Sequence, residues 1–69
     1  MAKITKNGTK FFISDLNSTN GTFRNGLRLL PNETVSIEPG DEIGLGNAFD
    51  SVVSFIVYLY MRKKKAYLV

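Results

Sequence analysis

Six consecutive positions, 17–22, read Asn-Ser-Thr-Asn-Gly-Thr, and five of them carry a side chain that gives or accepts hydrogen bonds. They lie between an apolar segment at 11–13 and an Asn25-Gly26 pair. Two chemistries are open to such a loop. It can bond its own backbone, as Asx and Ser/Thr turns do. It can also present hydroxyls and amides to a ligand. Asn offers both donor and acceptor, which suits a grip on a peptide main chain. Residue types alone leave both readings open.

Other chemistries have little to start from. The 69 residues include no Cys, so there is no disulfide framework and no thiolate metal site. They include no His, which removes the commonest general base and metal ligand. The six carboxylates are scattered in sequence. An enzyme is therefore not expected, and neither is a cofactor. The stretch from Asp15 onward fails as a calcium loop, because Asn20 stands where Gly is needed and Gly26 where Glu is needed. The Gly-Leu-Gly of residues 44–46 lacks a following helix and reads as a turn, not a dinucleotide fingerprint. Asn7, Asn17, Asn20 and Asn32 open glycosylation-type triplets, but no secretory signal accompanies them, and they read as turn residues.

The elements that must position the loop are short strands. "AKIT" alternates, with Ala2 and Ile4 on one face, and Asn7-Gly8 is read as a type I′ hairpin turn before "KFFISDL". "TFR", Asn25-Gly26 and "LRLL" form a second hairpin. "TVSIE" turns Val35 and Ile37 inward, residues 39–41 are a turn, and "EIGLG" puts Ile43 and Leu45 on one face. "NAFD" reads as a loop, and "SVVSFIVYLYM" as a strand apolar on both faces. Gly, Pro and Asn interrupt every window long enough for a helix. The fold class is thus an all-β antiparallel sandwich of about seven short strands. A chain this size buries only about 60% of its unfolded surface, so one small core is the limit.

The order of these residues resembles the C-terminal half of a forkhead-associated (FHA) domain. The resemblance rests on Asp15-Leu16, Ser18-Thr19-Asn20-Gly21-Thr22, Asn25-Gly26, and Gly40-Asp41 with Ile43 and Gly46, and spans roughly residues 2–59. It implies a partial FHA-type sandwich that binds phosphothreonine-containing proteins through loops at one end. It implies that Thr19 faces the phosphothreonine and Asn20 holds the ligand main chain. Asp15, Ser18 and Thr22 would tie the loop, Asn25 would brace it from behind, and Gly21 and Gly26 would supply backbone conformations that a Cβ forbids. The family's Gly-Arg and Ser-x-x-His elements, whose Arg and Ser grip the phosphate, have no counterpart in this sequence. Residues 1–61 would then be the distal portion of the domain, with residues 62–69 a basic and apolar tail. Arg24 is the nearest cation that could compensate for the missing clamp.

Four of the nine basic residues, Arg62, Lys63, Lys64 and Lys65, stand in that tail, and the rest of the chain is close to neutral. A nucleic-acid binder spreads its basic residues over a face, and the apolar run at 55–61 is far short of the roughly 20 residues of a membrane span. Neither nucleic acid nor membrane is an expected partner, and a cytoplasmic location is expected. "RKKKAYLV" reads as a charged break against aggregation, as a turn returning "AYLV" beside "FIVYLYM", or as an acidic-surface contact. The leading function is a phosphothreonine-peptide module, weak or inactive alone. The alternative is a structural fragment that self-associates into a homo-oligomer through its edge strands.

Overall fold

Successive side chains on a strand point to opposite faces, and this period assembles the core. The computed structural model describes residues 1–46, 48–51 and 66–68. β1 (Ala2–Asn7) buries Ala2 and Ile4, while β2 (Lys10–Asp15) buries Phe11, Ile13 and, at its end, Asp15. Then come β3 (Thr22–Arg24), β4 (Leu27–Arg28), β5 (Thr34–Ile37), β6 (Glu42–Leu45), β7 (Ala48–Ser51) and β8 (Ala66–Leu68). One sheet has the order β5-β2-β1-β8, the other β4-β3-β6-β7, and each described pairing is antiparallel. Ala2, Ile4, Phe11, Ile13 and Ile37 from the first sheet meet Ile43 of β6 and Leu29, just past β4. This is the all-β antiparallel sandwich that the strand pattern implies. Burying an Ile, Leu or Phe side chain stabilises by about 1.5–3 kcal/mol each, so a core of this size leaves polar ties at the loops a sizeable share of the stability.

The links sort to two ends. Register places the 16–21 loop, the 29–33 link and the β6–β7 hairpin at one end, because Thr22 pairs with Leu45 and Ser14 with Thr34. The β1–β2 and β3–β4 hairpins and the 38–41 link lie at the other, because Phe11 pairs with Ile37. Loop 16–21 crosses from the first sheet to the second, as does 38–41, and 29–33 crosses back.

Several local expectations are corrected. Asn7 pairs with Lys10, so the first hairpin turns on Gly8 and Thr9, with φ positive only at Gly8. That is the glycine-first pattern of a type II′ turn rather than type I′ on Asn7-Gly8. The type I′ pattern does occur at Asn25 (φ 51°) and Gly26 (φ 82°). "LRLL" is a strand only at Leu27 and Arg28, ahead of the Pro31 turn. Of "NAFD", the "AFD" part is strand and not loop: Ala48 pairs with Leu45 and Ser51 with Glu42, a tight hairpin entered through Gly46 at φ 67°. Ala66, Tyr67 and Leu68 pair with Thr5, Ile4 and Lys3 of β1. The described neighbour of "AYL" is therefore β1, its pairing with "FIVYLYM" lies outside the described residues, and the sandwich has eight described strands. The long apolar strand from Ser51 lies, after Ser51, outside the described residues, as does the 61/62 boundary.

Candidate functional site

The alternation of β2 puts Phe11, Ile13 and then Asp15 on the inner face, so a carboxylate arrives where the core ends. Buried charge needs hydrogen bonds, and the loop supplies them. Asp15 is 3% exposed. Its Oδ1 accepts from the hydroxyl of Ser18 and, at 2.7 Å, from the hydroxyl of Thr22, which is itself buried at the start of β3. The Ser18 N–H donates to Oδ2 at 3.3 Å. The Ser18 hydroxyl bond, set against burial and joined by the Thr22 bond, holds the Asp15 carboxyl below its ordinary range. The backbone carbonyl of Asp15 accepts from Asn32 N at 2.8 Å, which ties the 29–33 link to the same corner. One aspartate thus fastens both ends of the loop that crosses between the sheets.

Above this anchor the loop turns outward. Asn17 (φ 57°) and Gly21 (φ 88°) take left-handed conformations that bracket Ser18, Thr19 and Asn20. Thr19 and Asn20 are exposed, and neither side chain makes a hydrogen bond within the described residues. Ser18, Thr19, Asn20, Gly21 and Thr22 line a cleft of about 390 Å³ with Met1, Leu45 and Gly46. The cleft wall is fixed by Gly46, whose N–H donates to the Gly21 carbonyl at 3.0 Å. A Cβ on Gly46 would stand 3.4 Å from the Asn20 Cβ, so the β6–β7 turn packs directly against Asn20.

Asn25 lies elsewhere. Its side-chain amide donates to Asp41 Oδ1 at 3.1 Å, its Oδ1 accepts from Glu42 N at 2.9 Å, and its own N–H donates to the Glu42 carbonyl at 2.8 Å. Asp41 Oδ2 accepts from Arg24 Nε at 2.9 Å and from Glu38 N at 2.8 Å. Burial would raise the Asp41 carboxyl, but the bonds from Glu38, Asn25 and Arg24 outweigh it and hold it below its ordinary range. Asn25 therefore braces the 38–41 link at the opposite end of β3, together with Gly26 in the hairpin. The structure brings Asp15, Ser18, Thr19, Asn20, Gly21 and Thr22 together and leaves Asn25 and Gly26 apart from them.

The FHA domain family model matches residues 2–46. The chain belongs to the FHA domain family. Among curated proteins, this FHA chain is similar to protein FraH of Nostoc sp. (strain PCC 7120 / SAG 25.82 / UTEX 2576), at 40% identity over 58 residues. The match covers 84% of this chain and 19% of FraH, so the chain spans about a fifth of that relative's length. FHA domains are interaction modules of the phosphopeptide-binding type. The matched segment contains both the Asp15-anchored loop and the Asn25–Asp41 brace.

Arg24, the cation nearest the loop in sequence, is committed by the fold to Asp41 at the other end. Arg28 is the cation that reaches the loop. Strand parity was the available signal. Phe23 pairs with Arg28, so the two share a face, and Arg28 reaches Gly21 from there.

Proposed function

We propose that this chain carries the peptide-gripping part of a phosphothreonine reader, an interaction module without catalysis or cofactor. The observation that supports it most is the division of labour in the 16–22 segment. Asp15, Ser18 and Thr22 satisfy one another, while Thr19 and Asn20 stand exposed at the cleft with no hydrogen-bond partner among the described residues. In this reading the Thr19 hydroxyl meets the phosphothreonine, and the Asn20 amide donates to and accepts from the peptide main chain beside it. The dianionic ligand meets neither a Gly-Arg nor a Ser-x-x-His element in this chain. A hydrogen bond to a charged group is worth about 1.5–3 kcal/mol, so lacking two such contacts weakens binding roughly a hundredfold to more than ten-thousandfold. Calorimetry with a phosphothreonine peptide and its unphosphorylated twin tests the reading. Weak, phosphate-dependent binding is expected, weakened about tenfold more by Asn20→Ala. Binding unchanged by Asn20→Ala and by Thr19→Ala would refute it.

A second reading, assembly through sheet edges, draws on β8. It closes the first sheet with three residues, and its outer edge has no partner strand among the described residues. Such an edge can template pairing with another copy. Sedimentation equilibrium distinguishes the readings: a concentration-dependent dimer supports assembly, and a monomer at millimolar concentration removes it.

A further inference from the structure

Arg28 is exposed on β4 and makes no ion pair or hydrogen bond with any described residue. Its side chain nevertheless has a defined course. The guanidinium carbon lies 5.9 Å from the centre of the Phe23 ring, on the face that the pair shares. From there it reaches Gly21. A Cβ built at Gly21 would lie 2.6 Å from Arg28 Nε, 2.9 Å from Cζ and 3.2 Å from Nη2. The guanidinium thus lies where a side chain on Gly21 would stand, and Arg28 itself lines a neighbouring cavity with Leu29 and Glu33. Gly21 itself lines the loop cleft, beside Thr19 and Asn20. Thr22 faces the core, so Phe23 and Arg28 share the outer face, and Arg28 runs along it to Gly21.

Two facts give this position a use. Arg24, the other described arginine, is bonded to Asp41 and lies at the far end of β3. Arg28 keeps a planar fork of N–H donors beside Gly21 with no carboxylate bonded to it among the described residues, Glu33 lining the same cavity without pairing with it, and such a fork suits bidentate recognition of phosphate or carboxylate. Stacking on an aromatic ring restrains the side chain while leaving its charge available. We propose that Arg28 is the anion-recognising residue of this loop, receiving the phosphate of a bound phosphopeptide across Gly21. This deepens the phosphothreonine reading and rests on it for the peptide, but not for the anion. It also gives Gly21 a second reason to be glycine, since any Cβ there would displace the guanidinium.

The test is an NMR titration that follows the Arg28 Nε–Hε signal and the Gly21 amide. The probes are a phosphothreonine peptide, its unphosphorylated twin, and inorganic phosphate, each against chloride at matched ionic strength. The expected result is a saturable shift of both signals with phosphopeptide and with phosphate, and no Arg28 shift with the twin. Arg28→Ala is expected to weaken phosphopeptide binding about tenfold or more and to leave the twin unchanged, with Arg28→Lys recovering part of the loss. A saturable phosphate shift at Arg28 without any peptide binding would uphold the anion site and refute the peptide reading. An Arg28 signal unmoved by both phosphate and phosphopeptide would overturn the proposal. So would phosphate-dependent affinity in Arg28→Ala equal to that of the unsubstituted chain. The wild-type Nε–Hε readout needs no variant to fold.

Discussion

Two aspartates each tie a chain crossover between the sheets, at opposite ends of the three-residue strand β3, and they do it by different means. Asp15 is buried and held by neutral donors, the Ser18 and Thr22 hydroxyls and the Ser18 N–H. Asp41 is partly exposed and held by a guanidinium, an amide and the Glu38 N–H. At the Asp41 end the loop is self-contained: Arg24 through its Nε and Asn25 through its amide both bond the brace. At the Asp15 end small hydroxyl residues anchor the loop from beneath, and Thr19 and Asn20 are left unspent. The difference shows how similar materials make a structural corner at one end and a presenting loop at the other. What matters is whether the residues that hold the carboxylate are the same residues that face solvent.

Removing the anchors should separate the two corners most clearly. Asp15→Ala is expected to cost about 2–4 kcal/mol, because it strips charge-assisted bonds from a buried corner and orphans the Thr22 hydroxyl. Asp41→Ala, closer to water, is expected to cost about 1–2 kcal/mol. Urea melts that reverse this order would break the comparison. Gly21→Ala comes next, at roughly 1–3 kcal/mol, since φ 88° is strained for a residue with a Cβ and Arg28 must move. A neutral outcome in thermal melts would show that the guanidinium is not held against Gly21.

Acid sharpens the contrast. Both carboxyls sit below their ordinary range in the folded chain. A depressed folded pKa gives stability that is fully present above the unfolded value, about 4, and is lost as pH falls through the folded value. Unfolding free energy is therefore expected to hold from neutral pH to about 5 and to decline below about 4. Asp15→Asn should flatten that decline more than Asp41→Asn does, and denaturant midpoints across pH check it. Salt reads the other corner. The Arg24–Asp41 pair, with Arg24 35% exposed, is expected to contribute about 0.5–1 kcal/mol at low salt and less at 1 M. Arg24→Ala should thus cost less in high salt, whereas Asp15→Ala should cost the same.

Much of this was legible in the sequence because it follows from local rules. Alternation at Ala2 and Ile4 and at Val35 and Ile37, and the Asn25-Gly26 turn, gave the strands and their faces without reference to distant residues. Misreadings arose where a choice depended on a partner far along the chain. Residues 48–51 have no alternation of their own and become β7 only because β6 lies beside them. The strand reading of "AYLV" holds for "AYL", but its pairing with β1 depends on residues at the other end of the chain. The first hairpin slipped by one residue because Asn7-Gly8 and Gly8-Thr9 are both plausible turns until the Asn7–Lys10 pairing decides between them. Within the site, the hydroxyl cluster around Asp15 lies within eight residues of sequence and was readable. The partner of Asn25 was not, because Asp41 lies 16 residues away, nor was the course of Arg28, which depends on the β3–β4 pairing.

The contrast between the corners can be read in two side chains of the same kind. Asn20 is exposed at the cleft with no hydrogen-bond partner among the described residues, and Asn25 bonds Asp41 and Glu42 at the far end. The side-chain amide signals of both can be followed in one NMR titration with a phosphothreonine peptide. A saturable shift of the Asn20 amide, with Asn25 unmoved, is the result expected of a presenting loop at one end and a structural brace at the other. A shift at Asn25 with Asn20 unmoved would place the ligand on the brace and contradict the account.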